Sequence, residues 1–217
     1  MSYSRHSSIA FSEKELLDLA VAWVALSVAF ALLLTRDPVT GFTPEQLTSP
    51  AFVRMTALSF VTVGVAFLLH ELAHKVVAIR FGQVAEFRAD YGMLFLAIMS
   101  ALVGFLFAAP GAVYHRGRIT VRENGLIALA GPLTNHGLAI VFLALWLAPS
   151  VVDLPAVVGE VGRLGVWINL FLAAFNMIPY GPLDGKTVYR WNKLVFTLVF
   201  VPSLALALYV LLFVGFG

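Results

Sequence analysis

The sequence predicts an all-α polytopic membrane protein, a helical bundle that also contains a short membrane-associated β or re-entrant segment. Composition and patterning predict it together. Hydrophobic residues make up 60% of the 217 residues and charged residues only 12%, whereas an average soluble protein has about 45–50% apolar and about 25% charged residues. A chain of this length cannot bury so much apolar surface in one aqueous core. Lipid is therefore the expected solvent, and a net charge of +2 predicts no nucleic-acid partner.

Five apolar stretches approach the roughly 20 residues that a membrane-spanning helix needs. They are Leu16–Leu34, Met55–Ile79, Ile127–Leu147, Leu164–Ile178 and Leu194–Phe216. The first has no small-residue cleavage site close behind it, so we expect a retained span rather than a signal peptide. A sixth stretch, Tyr91–Tyr114, is equally apolar, but it contains two glycines and ends in an Ala-Pro-Gly sequence.

Lysine and arginine positions decide between five and six spans, because cytoplasmic loops are enriched in these residues. With five spans and a cytoplasmic N-terminus, eleven of the 14 lie inside and three outside. If Tyr91–Tyr114 also spans, the split becomes six against eight and the bias disappears. We therefore expect this segment to be re-entrant or interfacial. Irregular backbone at membrane depth is tolerated only against protein or a wet cavity, so the segment should line one.

The second span contains two histidines and a glutamate, in the order His70-Glu71-Leu-Ala-His74. Residues four apart lie on one face of a helix, so both imidazoles can bind a single zinc ion. The spacing also lets Glu71 reach the metal-bound water as a general base. An ionisable residue inside a span costs roughly 2.5–3.5 kcal/mol on insertion scales, which argues against a chance occurrence.

A catalytic zinc usually has three protein ligands, and cysteine is absent from this chain. We expect His6 and His115 to be solvated, whereas His136 in the third span is a weaker candidate for a ligand or for the hydrogen-bond partner of one. Several carboxylates are disfavoured by depth, side or a charged surrounding sequence: Asp18, Glu86, Asp90 and Asp153.

Asp184 is the favoured third ligand. It follows the fourth span within Pro179-Tyr-Gly-Pro182-Leu-Asp-Gly185, where the prolines and glycines should interrupt a regular helix and let a short side chain turn inward. Five spans place Asp184 and the two histidines near the cytoplasmic ends of their helices. Six spans would place them on opposite sides of the membrane.

Three motifs, in this order, resemble those of the site-2 protease family of intramembrane zinc metalloproteases. They are His70-Glu71-Leu-Ala-His74, Gly131-Pro-Leu-Thr-Asn135 and Asn176…Pro179…Pro182-Leu-Asp-Gly185. The resemblance implies a three-helix catalytic core and one Zn²⁺ per chain, bound by His70, His74 and Asp184. It implies Glu71 as the catalytic base and Asn176 as a residue that stabilises the oxyanion or orients the substrate strand.

The resemblance divides the chain into three parts. Residues 1–54 form an N-terminal tail, the first span and an external loop. Residues 55–195 form the catalytic core, with spans at about 55–79, 127–147 and 164–178 and a re-entrant or interfacial segment at about 84–121. Residues 194–217 form a C-terminal span. The family implies β-strands between the first two core helices, for which Val84–Asp90 and Gly111–Val121 are the candidates. The sequence shows no PDZ or cystathionine-synthase-like regulatory domain.

The implied activity is regulated intramembrane proteolysis, the hydrolysis of peptide bonds within or near transmembrane segments of membrane-protein substrates. Such a substrate must be unwound locally, because a helical span hides its carbonyls in hydrogen bonds. An edge strand within Gly111–Val121 could pair with it by β-augmentation. Asn135 is expected to support the metal site or helix packing. The N-terminus and active site are expected to face the cytoplasm.

Other readings remain open. A polytopic metal-ion transporter would use intramembrane His and Asp as an ion path, but it has no need for Glu71. Another membrane peptidase with the same histidine motif, such as a prenyl-protein endopeptidase, usually takes a glutamate as third ligand, and Glu160 is expected on the opposite side. A catalytically inactive scaffold would not need the intact set of site residues. The sequence leaves the oligomeric state open.

Overall fold

The computed structural model describes residues 9–107 and 109–214. These residues form eight α-helices and one two-stranded sheet. The helices are α1 (Glu13–Thr35), α2 (Pro50–Ser59), α3 (Val65–Arg80), α4 (Tyr91–Val103), α5 (Val121–Leu147), α6 (Ala156–Asn176), α7 (Asp184–Trp191) and α8 (Lys193–Tyr209), and the strands are β1 (Val84–Ala89) and β2 (Gly111–Arg116). His6 lies outside the described residues.

Five helical stretches in the described part of the chain are long and apolar enough to cross a membrane, as the sequence predicts. They are Glu13–Thr35, Pro50–Arg80, Val121–Ser150, Ala156–Asn176 and Lys193–Phe213. Three of them begin five to eight residues earlier than expected, at 50, 121 and 156 instead of 55, 127 and 164. Ser49 caps the first of these starts and Thr120 the second. The start of a helix is set by such caps, whereas hydropathy marks only its apolar length.

The second span is one helix of 31 residues, in which a π-helical turn at Phe60–Gly64 joins α2 to α3. The indole N–H of Trp23 on α1 donates to the carbonyl of Phe60 at 3.0 Å. Gly64 lies against the same indole, and a Cβ there would overlap the ring. Single π turns are frequent at functional sites, and this one lies immediately before the stretch of α3 that carries His70.

The segment between the strands does not cross the molecule, which agrees with the prediction that it is not a sixth span. β1 and β2 pair antiparallel, and the N–H of Asp90 donates to the carbonyl of Pro110 at 3.0 Å. Both ends of the intervening segment therefore lie next to each other, so the segment cannot cross from one side of the membrane to the other. The 13 residues of α4 span about 20 Å, less than the roughly 30 Å of a bilayer core.

Helix α1 holds both ends of α4. The hydroxyl of Tyr91 donates to Asp18 Oδ1 at 2.7 Å, and Arg36 Nε donates to the carbonyl of Leu102 at 3.3 Å. Because Asp18 is near one end of α1 and Arg36 follows the other, α4 runs alongside α1 through most of its length. Residues 105–107, 109 and 110, between α4 and β2, are non-helical.

The expected strand Gly111–Val121 is too long. β2 ends at Arg116, and Thr120 forms a capping box with Glu123 at the start of α5. The β-branched Ile-Thr-Val sequence at 119–121 suggested a strand, but the capping side chains stabilise a helix start instead.

The three core helices pack closely. Gly162 and Gly165 on α6 lie against the α5 backbone at Trp146 and the ring of Phe142, where a Cβ would overlap both. Helix α1 packs beside α3 and α6, and α8 packs on the opposite side against α6 and α7. The core thus brings the end of α3 next to the turn that follows α6.

Candidate active site

The structure brings the three predicted zinc ligands together. The Nε2 atoms of His70 and His74 on α3 are 3.0 Å apart, and Asp184 Oδ2 on α7 is 3.3 Å from each. All three ligand atoms lie within 4.8 Å of one another. Both imidazoles are buried and the carboxylate is largely so. Their roles as ligands remain predictions.

The outer nitrogens of both imidazoles are held by oxygen acceptors. His70 Nδ1 is 2.6 Å from Asn135 Oδ1, and His74 Nδ1 is 2.7 Å from the carbonyl of Ile127. Because these oxygens accept, each Nδ1 must carry the proton and each Nε2 keeps a free lone pair. Metal-binding histidines are usually held in this way.

Asn135 is in turn held by a residue that the sequence reasoning missed. Its Nδ2 donates to Asn169 Oδ1 at 2.9 Å, and Asn169 Nδ2 donates to the carbonyl of Gly165 at 2.8 Å. Both asparagines are fully buried. One chain of amides therefore links α6 through α5 to His70, and the only sequence signal for Asn169 was a polar residue inside an apolar span.

Gly131 on α5 lies directly against the two imidazoles. A Cβ at this position would be 2.5 Å from the Nε2 atoms of both His70 and His74. Any side chain here would occupy the space between the histidines and α5. The Gly-Pro-Leu-Thr-Asn run thus supplies both a gap for the imidazoles and, through Asn135, a hydrogen bond to one of them.

The turn after α6 places Asp184. The helix ends at Asn176, and Gly181 in the following turn has φ of 61°, a left-handed conformation that favours glycine. Gly185 was expected to interrupt a helix, but it lies inside α7, where its missing side chain lets α7 contact the backbone of Met177. Burial alone would raise the pKa of Asp184, but the two imidazoles lower it to about 2. A carboxylate must be ionised to bind a metal, and this direction of the pKa agrees with that requirement.

Two site oxygens are buried without a hydrogen-bond partner, Glu71 Oε2 and Asp184 Oδ2. Buried polar atoms usually have a partner, so each such atom needs an explanation. Two imidazoles and a carboxylate oxygen are the ligand types that zinc prefers at catalytic sites with an open fourth position. The donor set therefore fits a zinc ion, with Glu71 beside it.

A cavity of about 220 Å³ opens over these residues. Its walls combine apolar side chains of α1, α3 and α6 with the re-entrant return and β2, namely Phe30, Phe67, Phe171, Leu106 and 109–113. The prediction that the re-entrant segment lines a cavity is confirmed. Asn176 also lines it, and its Nδ2 donates to the carbonyl of Leu172 at 3.0 Å.

The two free edges of the hairpin differ. The N–H groups of Phe87 and Ala89 on β1 donate to Glu15 Oε1 at 3.0 Å and Asp18 Oδ2 at 3.4 Å, so they point away from β2. In an antiparallel pair, two residues directly opposite each other direct their backbone N–H and C=O groups either both toward the partner strand or both away from it. The outward groups of β2 therefore belong to its odd-numbered residues, and we call the backbone N–H and C=O of 111, 113 and 115 the open edge of β2. Within residues 9–107 and 109–214 these groups have no hydrogen-bond partner, and the same residues line the cavity.

The other histidines and carboxylates considered as zinc ligands lie outside the metal cluster. His136 is not part of the metal cluster. Its Nδ1 is 2.9 Å from the carbonyl of Pro132, and its Nε2 is 3.0 Å from Ser203 Oγ on α8. Glu86 pairs with Arg88 at 2.6 Å, and Asp90 caps α4. His115 is not part of the metal cluster, but it lies on β2 instead of in a loop, is half-buried and lines the cavity.

The remaining carboxylates lie away from the metal cluster, as expected. Glu160 pairs with Arg54 near the start of α6, a helix length from Asp184. Asp153 is exposed in the connection between α5 and α6. Asp18 is buried but is occupied by the hydroxyl of Tyr91.

Comparison with known proteins agrees with the geometry. A protein of Methanocaldococcus jannaschii whose name assigns it to the zinc metalloproteases, MJ0611, is 38% identical over 208 residues, which cover 94% of this chain and 98% of that protein. The chain belongs to the site-2 protease family of zinc metalloproteases. It is accordingly a metalloprotease, and zinc is its cofactor.

More distant members of the zinc metalloproteases match a smaller part. Rip3 of Mycobacterium tuberculosis is 34% identical over 129 residues, 58% of this chain and 29% of that protein. YwhC of Bacillus subtilis is 33% identical over 145 residues, 59% of this chain and 65% of that protein. No family model and no solved structure matches the chain.

Proposed function

We propose that this zinc metalloprotease cleaves peptide bonds within or near transmembrane segments of membrane proteins, and that the substrate lies as an extended strand along the open edge of β2. The observation that carries the proposal is the position of this edge on the same cavity as Glu71, His70, His74 and Asp184. An unwound segment of substrate would find hydrogen-bond partners there. Apolar side chains of α1, α3 and α6 would surround its remainder.

The reaction uses these residues in distinct roles. His70, His74 and Asp184 would hold the zinc, which when bound would supply an acidic bound water and polarise the scissile carbonyl. Glu71 Oε2, buried and without a hydrogen-bond partner, takes the proton of the attacking water and returns it to the leaving amine nitrogen. Asn176 turns its amide from the Leu172 carbonyl toward the substrate, where it orients the strand or stabilises the oxyanion.

The active site opens toward the cytoplasm in this proposal, as does the N-terminus. Its support is the distribution of cations, because cytoplasmic loops are enriched in Lys and Arg. Arg80, Arg116, Arg118 and Arg122 all lie around the hairpin and the start of α5, at the same end as the metal cluster. Arg54 lies at the opposite end, beside the start of α6.

The proposal is tested by proteolysis in lipid. The purified full chain is reconstituted in phosphatidylcholine–phosphatidylglycerol vesicles with a model single-span peptide that carries Asn-Pro in its apolar segment. We expect cleavage that mass spectrometry maps within or next to the apolar segment, loss of cleavage with Glu71→Gln, and slower cleavage of a matched peptide with Leu-Leu in place of Asn-Pro. Cleavage confined to soluble peptides, or cleavage that survives Glu71→Gln, would contradict the proposal.

Metal analysis tests the ligand set separately. Zinc content is measured for the wild type, Asp184→Ala and Glu86→Ala after purification in detergent. We expect about one zinc per chain in the wild type and in Glu86→Ala, and loss of zinc in Asp184→Ala. Zinc retained at wild-type affinity by Asp184→Ala would show that the third ligand is another residue.

A further inference from the structure

His115 is the one titratable residue, beside His70, Glu71, His74 and Asp184, among those that line the active-site cavity in the described part of the chain. It lies on β2, whose residues alternate in burial: 111, 113 and 115 are half-buried, and 112, 114 and 116 are exposed. Side chains of alternate residues point to the same face of a strand. The imidazole therefore lies on the inner face with Val113, which itself borders Glu71 in the cavity.

The imidazole of His115 is available for a ligand. Unlike the other two cavity histidines, it has no hydrogen-bond partner among residues 9–107 and 109–214, and it is in ring contact with neither of them. A half-buried imidazole with neither nitrogen bonded to protein is a donor and an acceptor that face the cavity contents. Nothing in the fold of the hairpin requires a polar side chain at this position, because its neighbour on the same face is a valine.

Burial favours the neutral form of this side chain, because it lowers the pKa of His115. A neutral imidazole carries one N–H and one lone pair, so it donates one hydrogen bond without adding a charge that would repel the zinc.

We propose that His115 is a catalytic residue that donates a hydrogen bond to the carbonyl oxygen of the scissile peptide. The inference rests on the proposed function, because a substrate strand along the open edge of β2 is bonded to the backbone of His115, a residue that lines the same cavity as the metal cluster. The open edge of β2 then fixes the register of the substrate strand. The imidazole of His115 stabilises the negative charge that develops on the scissile carbonyl oxygen. No bond to His115 forms or breaks.

The expected size of the effect follows from the loss of other such donors, which lowers kcat by about 10²–10³-fold. We expect His115→Phe, which keeps a ring but has no donor, to lower kcat by about 10²-fold with zinc content unchanged and KM changed little. His115→Gln, whose amide N–H has about the reach of Nε2, should recover part of the lost rate. His136→Gln removes a histidine that bridges α5 and α8 outside the cavity, and it should cleave as the wild type does.

The test combines cleavage with binding. Each variant is assayed in the same vesicles against the Asn-Pro peptide, and its affinity is measured for a phosphinic analogue of that peptide, in which a tetrahedral phosphinate replaces the scissile bond. We expect His115→Phe to bind the phosphinic peptide about 10²-fold more weakly, whereas KM for the substrate stays near the wild-type value.

Distinct results overturn the inference. Wild-type kcat and phosphinate affinity in His115→Phe would exclude a donor at this position, and loss of zinc would make His115 a ligand instead. An equal loss in His115→Gln and His115→Phe, with KM raised in both, would assign the residue to binding of the strand alone. If the wild type itself fails to cleave within the apolar segment, the proposed function fails, and the phosphinate affinities still report on His115 separately.

Discussion

Buried carboxylates differ in their hydrogen bonding between two regions of the molecule. These are the active-site cavity, called the cavity side, and the contact between α1 and the hairpin, called the α1 side. On the cavity side, Glu71 and Asp184 each leave a buried oxygen without a hydrogen bond. On the α1 side, the carboxylates of Glu15 and Asp18 are equally buried, but each accepts bonds from the hairpin, and Glu15 is paired with the buried Lys75. Satisfied polar groups stabilise a fold, whereas the free oxygens of Glu71 and Asp184 lie where a metal and its water would bind. Substitutions on the α1 side should therefore change stability, and those on the cavity side should change zinc binding or catalysis.

The largest effect is expected for Lys75→Met on the α1 side. The ammonium of Lys75 also donates to the carbonyl of Ala10 at 2.6 Å and lies 3.8 Å from the ring centroid of Phe11. Its loss leaves Glu15 buried without a counterion, which should lower the free energy of unfolding by about 3–5 kcal/mol. Thermal unfolding in detergent, followed by circular dichroism, measures this.

The matched control for that experiment is the double variant Lys75→Met with Glu15→Gln. It removes both charges and should recover most of the lost stability, because no buried charge is left unpaired. Equal destabilisation in the single and double variants would attribute the loss to packing instead of charge. A single variant of normal stability that loses zinc would break the distinction between the two sides.

Val113→Pro on the open edge of β2 is expected to affect catalysis. Proline removes the backbone N–H that a substrate strand would bond, without removing a bond to β1. We expect cleavage of the Asn-Pro peptide to fall by about 10²-fold, the size of loss that a misplaced substrate causes, with zinc content unchanged. Val113→Thr keeps the N–H and should remain close to wild type; preserved cleavage in Val113→Pro would mean that the substrate binds elsewhere.

Asn169→Ala tests the amide chain that holds His70. Loss of a residue that orients a metal ligand typically weakens metal affinity by about 10–100-fold, and Asn169 acts on His70 only through Asn135. We expect a weakening within this range when zinc is titrated against a chelator. Asn169→Gln would show whether an amide alone suffices, and unchanged zinc affinity in Asn169→Ala would make the chain a matter of helix packing only.

The smallest effect is expected for Trp23→Phe, on the α1 side at the π turn. The change removes the donor to the Phe60 carbonyl and should lower the free energy of unfolding by about 1 kcal/mol. Cleavage per folded molecule should not change. A loss of kcat without a loss of stability would instead tie the π turn to the placement of His70.

Hydropathy predicted the five spans because lipid requires about 20 apolar residues in each. It could not place the starts of α5 and α6, since polar residues such as Glu160 and Arg163 lie inside helical turns that extend past the apolar region. The histidine spacing predicted that His70 and His74 share one face, and the helix-breaking turn with the five-span topology predicted that Asp184 lies at the same depth. Their role as ligands stays a prediction until zinc is measured.

The residues that sequence reasoning misjudged depend on contacts across the fold. His115 was expected in a basic loop because its neighbours in sequence are basic, yet it lies on β2 and lines the cavity. Asn169 had no motif, and its partner Asn135 lies 34 positions away. The first placement depends on the pairing of β2 with β1, and the second on the packing of α6 against α5.

The re-entrant helix α4 has a consequence for how the protein is made. A segment this apolar enters the bilayer as it leaves the translocon, although it is too short to remain there as a span. Asp18 and Arg36, the residues that hold its two ends, belong to a helix synthesised earlier. Helix α1 is thus inserted before α4, the helix that it holds. We therefore expect the topology of the helices after α4 to depend on α1 being in the membrane when α4 emerges.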